Sequence, residues 1–500
     1  MNRQPGELKL HMGKAGGSRS ICRSGMEKAG VPVLADLSDA CSNDCVILVG
    51  RPNKRAGVTS PSKERGVLAS EDSGSCAALT ISPWLMNNIA PLVRQLPASE
   101  LERRLRREGL PARIGDPVRG IDNTIITVAV WGFDAVEMRR ILAESAGLNG
   151  IRVPGKDLNP SVIPYGHGLW KPAERLSVRA IYALGLDFGQ VELTLSGEGR
   201  LGITSISSEL NVQTPEGERR LKELLVAFST EWEQETGRDD MKVTLGADPE
   251  FVLTSATGRL VQASKFFPLG GETGCDSIRF RGEKYWPLVE LRPRPFAEPG
   301  RLAADLRRLL NVASGYTAGA KLSWRAGAMP VQGVPLGGHV HISGIALHGE
   351  RVRALDNAVA LPLRLLEPAV AKRRRPRYGA LGDVRRQPHG GFEYRTPPSW
   401  LVSPRLALGT FALAKVAAEH SRELASDGRP LDDDAVRDAF YDGNRDILLP
   451  AVEQMYRTLS ATSGYAAHKE AIDFVFDAIM RGRSWDESAD IRIKWRIPIV

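Results

Sequence analysis

Four short segments of the sequence each carry two polar residues two positions apart in a strand-like run. The pairs are Asp248 and Glu250 in GADPEF, Glu290 and Arg292 in VELRP, His339 and His341 in GGHVHIS, and Glu393 and Arg395 in GFEYRT. Alternate side chains of a strand point to one face, so each segment is predicted to present its pair together, with apolar residues on the other face. A single pair of this kind is equally well explained by a half-exposed structural sheet.

Together the four segments supply four carboxylates, two imidazoles and two guanidiniums. Carboxylates that face one space repel one another unless cations neutralise them. The set includes imidazoles but no nearby thiolate pair, which favours Mg²⁺ or Mn²⁺ over structural zinc. Two such ions flanked by arginines suit a nucleotide polyphosphate and a transferring phosphoryl group. The glycine pairs before His339 and Glu393 would let a backbone or a ligand approach closely.

The surrounding sequence predicts three regions. Residues 1–80 are rich in Gly, Ser, Lys and Arg and are predicted to be a low-complexity, disordered extension. Residues 82–240 are predicted to form a mixed α/β region that selects the substrate, and residues 241–500 a catalytic domain with C-terminal packing helices. The predicted helices are 82–109 (with Ser99 as a cap), 134–147, 215–237, 405–425 and 468–482, and the predicted strands include 123–132 and 490–500.

Composition and missing motifs exclude several classes of protein. The 500 residues carry a net charge of +8, yet no apolar run approaches the roughly 20 residues of a membrane helix. No secretory segment, GxxxxGK[ST] loop or GxGxxG is recognisable, so we expect a cytoplasmic protein without a membrane partner that is neither a P-loop nor a Rossmann protein. Five cysteines predict free thiols, and the pair Cys41 and Cys45 lacks the partners of a zinc site. The basic run Lys372–Arg377 has no nucleic-acid-binding motif around it, so we expect no nucleic-acid partner.

The sequence contains a faint internal repeat. Residues 184–201 resemble residues 245–260, since both contain LG-x-D, an alternating strand and a GRL exit. Either the two stretches are similar hairpins, or they are half-sites of a duplication that would add Asp187 to the site.

The same motifs resemble a known family. GADPEF, VELRP, GGHVHIS and the stretch from YGALGD to GGFEYRTPPSWL are similar to the phage-type carboxylate–amine (COOH-NH2) ligases of the glutamine synthetase / glutamate–cysteine ligase superfamily. The resemblance covers about Val243 to Leu401. It implies an α+β fold in which a curved antiparallel sheet, flanked by helices, holds ATP and two or three Mg²⁺ (or Mn²⁺) ions on its concave face.

The resemblance also implies roles for individual residues. Metal ligands would be Asp248, Glu250, Glu290, His339 and Glu393, and contacts to the nucleotide phosphates, with a part in catalysis, would come from His341, Arg292 and Arg395. Asp276 matches an acidic position of the family loosely. Asp248 departs from the family, where many members have Glu, and the shorter side chain would shift the metal.

The implied reaction has two steps. A substrate carboxylate attacks the γ-phosphate of ATP to give an acyl phosphate, and an amine then displaces phosphate to form an amide. The substrates would be a small-molecule or peptide carboxylate and amine. The basic residues at 373–377 and 385–386 are expected to form a loop over the site that recruits an acidic substrate.

Two other functions remain open at the level of sequence. A His-x-His strand also begins the sites of amidohydrolase-type metal-dependent hydrolases, although those need further ligating histidines. The other histidines lie outside recognisable strands, at positions His11, His167, His348, His389, His420 and His468. The second alternative is a non-catalytic nucleotide-binding protein.

Overall fold

A computed structural model of the chain describes residues 5–12, 26, 30–49, 82–115, 124–142, 161–238, 242–280, 282–388 and 390–499. These residues divide into two compact units, the first ending at residue 238 and the second beginning at residue 242. No helix among the described residues is long and apolar enough to span a membrane.

The first unit begins with a small parallel sheet. Its strands, β1 (Leu8–Met12), β2 (Val33–Leu34), β3 (Cys45–Val49) and β4 (Trp84–Met86), have the order β2-β1-β3-β4. The apolar strands β1 and β3 bury Leu10 and Ile47 completely. The prediction of a disordered extension is therefore wrong for residues 8–12 and 33–49, and residues 1–4, 13–25, 27–29 and 50–80 lie outside the described residues.

Helices α1 (Ala90–Val93) and α2 (Ala98–Arg107) follow this sheet. The predicted single helix over 82–109 is thus divided, because Trp84–Met86 pairs with β3 and Pro97 interrupts the pattern. The helix begins at Ala98 with Pro97 as its N-cap, so the predicted cap at Ser99 is wrong.

A five-stranded antiparallel sheet forms the centre of the first unit. Its strands, β5 (Thr124–Trp131), β6 (Asp134–Leu142), β7 (Ser161–Val162), β8 (Phe188–Leu195) and β9 (Leu201–Ser207), have the order β7-β6-β5-β8-β9. Helix α3 (Trp170–Ala183) packs on one face, while helix α4 (Pro215–Thr236) and the parallel sheet contribute to the core on the other.

The predicted helix over 134–147 is wrong for residues 134–142, which form strand β6, and residues 143–147 lie outside the described residues. The prediction rested on the local sequence pattern alone. Instead, Glu137 is buried and accepts hydrogen bonds from the amide and hydroxyl of Thr214, at 2.7 and 2.6 Å, at the start of α4. Arg139 pairs with Glu137 at 2.7 Å, so both charges are satisfied in the interior.

The second unit contains an eight-stranded sheet with a long central strand. The strands are β10 (Thr244–Ser255), β11 (Leu260–Val261), β12 (Thr273–Phe280), β13 (Glu283–Leu291), β14 (Leu322–Arg325), β15 (Gly338–Ser343), β16 (Val384–Arg386) and β17 (Phe392–Tyr394). The main path has the order β12-β13-β10-β15-β17-β16 with antiparallel pairing throughout, and β11 and β14 also pair with β10.

Helices surround this sheet. They are α5 (Pro299–Tyr316), α6 (Gly349–Leu355), α7 (Leu361–Leu366), α8 (Pro404–Glu419), α9 (Ser421–Leu424), α10 (Asp434–Asp442), α11 (Arg445–Ser460), α12 (Tyr465–Met480) and α13 (Ile491–Trp495). The predicted α+β architecture with a curved antiparallel sheet and flanking helices is confirmed. The predicted terminal strand is wrong, because Asp490 caps the short helix α13.

Two arginines of the basic run Lys372–Arg377 belong to the protein interior. Arg375 makes two 2.6 Å contacts with the two carboxylate oxygens of buried Glu367. Arg374 donates hydrogen bonds to the carbonyls of Thr396 and Pro397. The prediction of a basic loop is therefore wrong for these two residues, whose side chains are held by structural partners.

We expect Arg375→Ala to lower the free energy of unfolding by roughly 3 kcal/mol, because Glu367 would stay buried with only a 3.5 Å contact to Arg364. Arg373→Ala removes an exposed side chain of the same run and should change it by less than about 0.5 kcal/mol. Urea unfolding of both variants measures the difference. Equal effects would contradict a structural role for the buried pair.

Candidate functional site

The register of the antiparallel sheet brings the four polar pairs onto neighbouring strands. Asp248 lies opposite His339, and His341 lies opposite Glu393. On the other side of β10, Glu250 lies opposite Glu290. Because directly paired residues of antiparallel strands share a face, the predicted same-face pairs form one continuous polar surface across β13, β10, β15 and β17.

The two histidines lie among the carboxylates. His339 Nδ1 is 3.1 Å from both Asp248 Oδ1 and Glu393 Oε1. His341 Nε2 is 3.3 Å from Asp248 Oδ2. These distances are short enough for ion pairs, but the geometry does not meet the angular requirement of a hydrogen bond. Three buried atoms therefore have no hydrogen-bond partner among the described residues, namely His339 Nδ1, His341 Nε2 and Asp248 Oδ1.

This arrangement fits a metal ion. One ligand atom each from Asp248, His341 and Glu393 lies within 4.8 Å of the others. Buried polar atoms without hydrogen bonds are costly, and a cation coordinated between them would satisfy them. The resemblance implied that His339 is a metal ligand and that His341 contacts phosphate. The three ligand atoms that converge in the structure belong instead to Asp248, His341 and Glu393.

Close packing fixes the strands that carry these residues. A Cβ on Gly337 would lie 2.3 Å from His339 Nε2, so the predicted need for glycine at the entrance of β15 has a steric cause. The amide of Gly337 also donates a 2.7 Å hydrogen bond to Glu250 Oε2. Trp400 Nε1 donates to the carbonyl of Gly338 at 2.8 Å, which ties the same turn to the segment after β17.

Arginines approach the carboxylates from the rim. Arg292 pairs with Glu290 and donates a 2.9 Å hydrogen bond to the carbonyl of Gly271. Arg395 Nε is 3.4 Å from Glu393 Oε1. The predicted phosphate contacts Arg292 and Arg395 thus lie next to predicted metal ligands, as the spacing of each pair required.

The two oxygens of Glu393 have different neighbours. Oε1 faces His339, whereas Oε2 accepts hydrogen bonds from Arg385 Nε at 2.7 Å and from Gln387 Nε2 at 2.9 Å. The side chain of Arg385 is nevertheless 57% exposed. The sequence had placed Arg385 in a basic loop over the site, and it does contact the site, but Gln387 was missed because nothing in the sequence shows that β16 folds back onto β17.

A fifth carboxylate shares this face. Asp276 lies opposite Leu288, two positions from the pair of Gly274 and Glu290, so Asp276 and Glu290 point to the same side. Asp187, by contrast, belongs to the first unit and accepts a 2.9 Å hydrogen bond from the amide of Asn87. This structural role explains the burial of Asp187 without a ligand and favours the similar-hairpin interpretation of the repeat.

Beyond the carboxylates, the same face becomes apolar. Val252 follows Glu250 by two positions and lies opposite Leu288 in the register. These two residues form a cluster with Val334 and Leu336. The cluster borders one side of the charged surface with apolar side chains. Because the local dielectric constant is lower there, electrostatic interactions are stronger.

Burial shifts the ionisation of the acidic groups. Desolvation raises the pKa of Glu250 to about 7, and desolvation together with the Asp248 charge raises the pKa of Glu290. Asp276 adds a smaller contribution in the same direction to both groups.

The imidazole of His339 has the opposite effect. Burial alone would raise the pKa values of Asp248 and Glu393, but interactions with His339, together with His341 at Asp248 and Arg395 at Glu393, hold both below their usual range. Burial alone would lower the pKa of His339, yet these two carboxylates raise it well above its usual value. The metal-free protein therefore holds a protonated His339 between two carboxylates at neutral pH.

Comparison with known proteins identifies the family of the chain. Residues 245–497, just over half of the chain, match the family described as Phage phiEco32-like COOH.NH2 ligase-type 2. The chain belongs to this family of carboxylate–amine ligases, which confirms the resemblance seen in the motifs. It is therefore a carbon–nitrogen ligase of the carboxylate–amine type.

No curated protein matches the sequence. Among solved structures, Plasmodium falciparum glutamine synthetase is similar with 9% identity and a TM-score of 0.32, over 77% of this chain and 96% of that one. The macrocyclase MdnC bound with precursor peptide MdnA, from Microcystis aeruginosa MRC, is similar with 10% identity and a TM-score of 0.28, over 44% of this chain and 99% of that one.

We expect the metal-free protein to lose stability between pH 5 and pH 8. Folding raises the pKa of Glu250 to about 7, so the folded state binds this proton more tightly than the unfolded chain, and that stabilisation is lost as the pH rises through 7. Glu250→Gln should reduce the loss by on the order of 2 kcal/mol. Urea unfolding in EDTA across this pH range measures it.

Glu283→Gln, an exposed substitution on the same sheet, provides the control and should leave the pH dependence unchanged. Parallel pH profiles for wild type and Glu250→Gln would contradict the raised pKa.

Proposed function

We propose that this ligase forms an amide bond through an acyl-phosphate intermediate at a Mg²⁺–ATP site on the polar face of the second unit's sheet. The observation that carries the proposal is the convergence of Asp248, His341 and Glu393 ligand atoms within 4.8 Å, with Glu250 and Glu290 on the same face. Carboxylate oxygens dominate this set, and they are the ligands that Mg²⁺ prefers.

Asp248, Glu250, Glu290 and Glu393, with one or both histidines, are the proposed metal ligands. Mg²⁺ bound there would neutralise the nucleotide phosphates and polarise the γ-phosphoryl group. Asp276 is proposed to contribute on the same face. Two or three ions are proposed because the carboxylates divide between the Asp248–Glu393 side and the Glu250–Glu290 side of β10.

The arginines are proposed to bind the transferring phosphoryl group. Arg292 and Arg395 lie beside the carboxyl groups of Glu290 and Glu393, so a metal that binds those groups would leave the guanidiniums for phosphate oxygens. A guanidinium held in place before the reaction stabilises charge that develops on the phosphoryl oxygens at little reorganisation cost. His341 is half-buried beside Asp248, and it is proposed to serve either as a metal ligand or as a contact to the nucleotide phosphates.

In the first step, an oxygen of the substrate carboxylate bonds to the γ-phosphorus and the bond to the bridging oxygen breaks, releasing ADP. In the second step, the amine nitrogen bonds to the acyl carbon, the acyl–phosphate bond breaks, and the nitrogen loses a proton. The protein's part is to hold the carboxylate and phosphoryl group in line and to exclude water from the acyl phosphate, which the apolar cluster around Leu288 supports.

The structural partners of the other histidines argue against the amidohydrolase alternative. His348 Nδ1 accepts a hydrogen bond from the Arg351 amide as a helix cap, and His420 pairs with Glu423. His167 accepts from the amide of Leu169. His389 lies outside the described residues. None of the other described histidines is among the residues that contact Asp248, so no further imidazole supports a hydrolase.

We expect Glu250→Gln and Glu393→Gln each to reduce amide formation and the accompanying phosphate release by at least about a hundredfold, because each removes a proposed metal ligand. The assay supplies Mg²⁺, ATP and pools of amino acids and short peptides, and measures phosphate release that depends on both an acid and an amine. Glu283→Gln serves as the exposed control on the same sheet.

Hydroxylamine added in place of the amine should trap the acyl phosphate as a hydroxamate. Release of phosphate that never depends on an acid or an amine, or full activity of both glutamine variants, would contradict the proposal.

We also expect Arg385→Gln to raise KM for the acid substrate about tenfold with a smaller change in kcat, because its exposed guanidinium at Glu393 is placed to attract an anion. Arg386→Gln is the matched control, since the neighbouring position points to the other face of β16. Equal KM values for the two variants would contradict a role for Arg385 in attracting the acid substrate.

A further inference from the structure

A basic groove lies on the outer side of helix α3 in the first unit, outside the residues matched by the ligase family. It has a volume of about 560 Å³. Its lining combines three cationic side chains with an apolar floor and one turn glycine: Lys171, Arg175, Arg179, Pro172, Leu176, Leu201 and Gly199. No carboxylate is among these residues, so the groove carries a concentrated positive charge.

Two of the cations are available to a ligand. Within the part of the chain that the structure describes, no side-chain partner pairs with the exposed residues Lys171 and Arg175. Arg179 is held in place, since its Nη2 donates a 2.8 Å hydrogen bond to the carbonyl of Glu108. One oriented guanidinium and two unpaired cations thus line the same groove.

The spacing of the cations is regular. Lys171, Arg175 and Arg179 are separated by four residues each on α3, so they repeat about every 6 Å along one face of the helix. Alternate side chains of an extended peptide repeat about every 6.6 Å. A strand with acidic residues at alternate positions would therefore place successive carboxylates opposite successive cations.

We propose that this groove binds an acidic peptide segment in an extended conformation, with carboxylates on the three cations and apolar side chains on the floor around Leu176 and Leu201. Single-stranded nucleic acid has a similar charge spacing, but proteins that bind it without sequence preference stack bases on aromatic side chains, and no aromatic side chain lines the groove. The proposal does not depend on the ligase reaction, because binding needs neither nucleotide nor metal.

Fluorescence anisotropy on the full chain, at low salt without ATP or Mg²⁺, tests it. The probe is a labelled octapeptide of alternating Glu and Leu, compared with one of alternating Gln and Leu and with a single-stranded oligonucleotide of eight nucleotides. We expect the glutamate peptide to bind at least about tenfold more tightly than the other two probes, with affinity that falls as salt rises.

The variant Lys171→Gln/Arg175→Gln should weaken binding of the glutamate peptide about tenfold. The control Lys222→Gln/Lys321→Gln removes two exposed lysines outside the groove and should retain wild-type affinity within twofold. All four substituted side chains are exposed, and thermal unfolding checks that both variants fold. Equal affinity for the two peptides, equal losses in the two variants, or tighter oligonucleotide binding lost through Lys171 and Arg175 would each overturn the proposal.

Discussion

The fold of the second unit depends on how it accommodates the mutual repulsion of four buried carboxylates. Asp248, Glu250, Glu290 and Glu393 are each less than a tenth exposed, yet their side chains share one face of a sheet. Separate burial of each negative charge would be prohibitive, and close like charges add to that cost. Without a metal, this cost appears as raised pKa values of Glu250 and Glu290 and as a raised pKa of His339, which lies between Asp248 and Glu393.

The scaffold around this face is correspondingly rigid. On the opposite face of the sheet, Phe251 stacks on Trp324 with ring centroids 4.8 Å apart, and both rings are fully buried. Tyr394 lies between Glu393 and Arg395 in the sequence, and its hydroxyl donates a 2.8 Å hydrogen bond to Asp356, which directly follows helix α6. The alternation that presents the charged pairs on one face therefore anchors each strand in the core on the other, so a strand cannot slip without moving both.

The two units have different chemical characters. The second concentrates carboxylates on a sheet and contains all of the residues matched by the ligase family, from 245 to 497. The first packs helices against an antiparallel sheet and exposes the cationic side chains of Lys171 and Arg175 on α3. The first unit thus carries a basic groove and the second an acidic sheet face, so the two units present surfaces of opposite charge.

The sequence by itself determined the local parts of this protein. The period of two in GADPEF, VELRP, GGHVHIS and GFEYRT predicted which side chains share a face, because that period is a property of the strand backbone, and the ordered motifs identified the family. Only the tertiary structure decided which strands are neighbours, and hence that Glu250 faces Glu290 and that Arg385 and Gln387 reach Glu393. Segment 134–142 and the run Lys372–Arg377 were misjudged for the same reason, since charges that appear solvent-exposed in sequence are buried against distant partners such as Thr214 and Glu367. Pairing between residues far apart in the chain depends on packing, which no local pattern encodes.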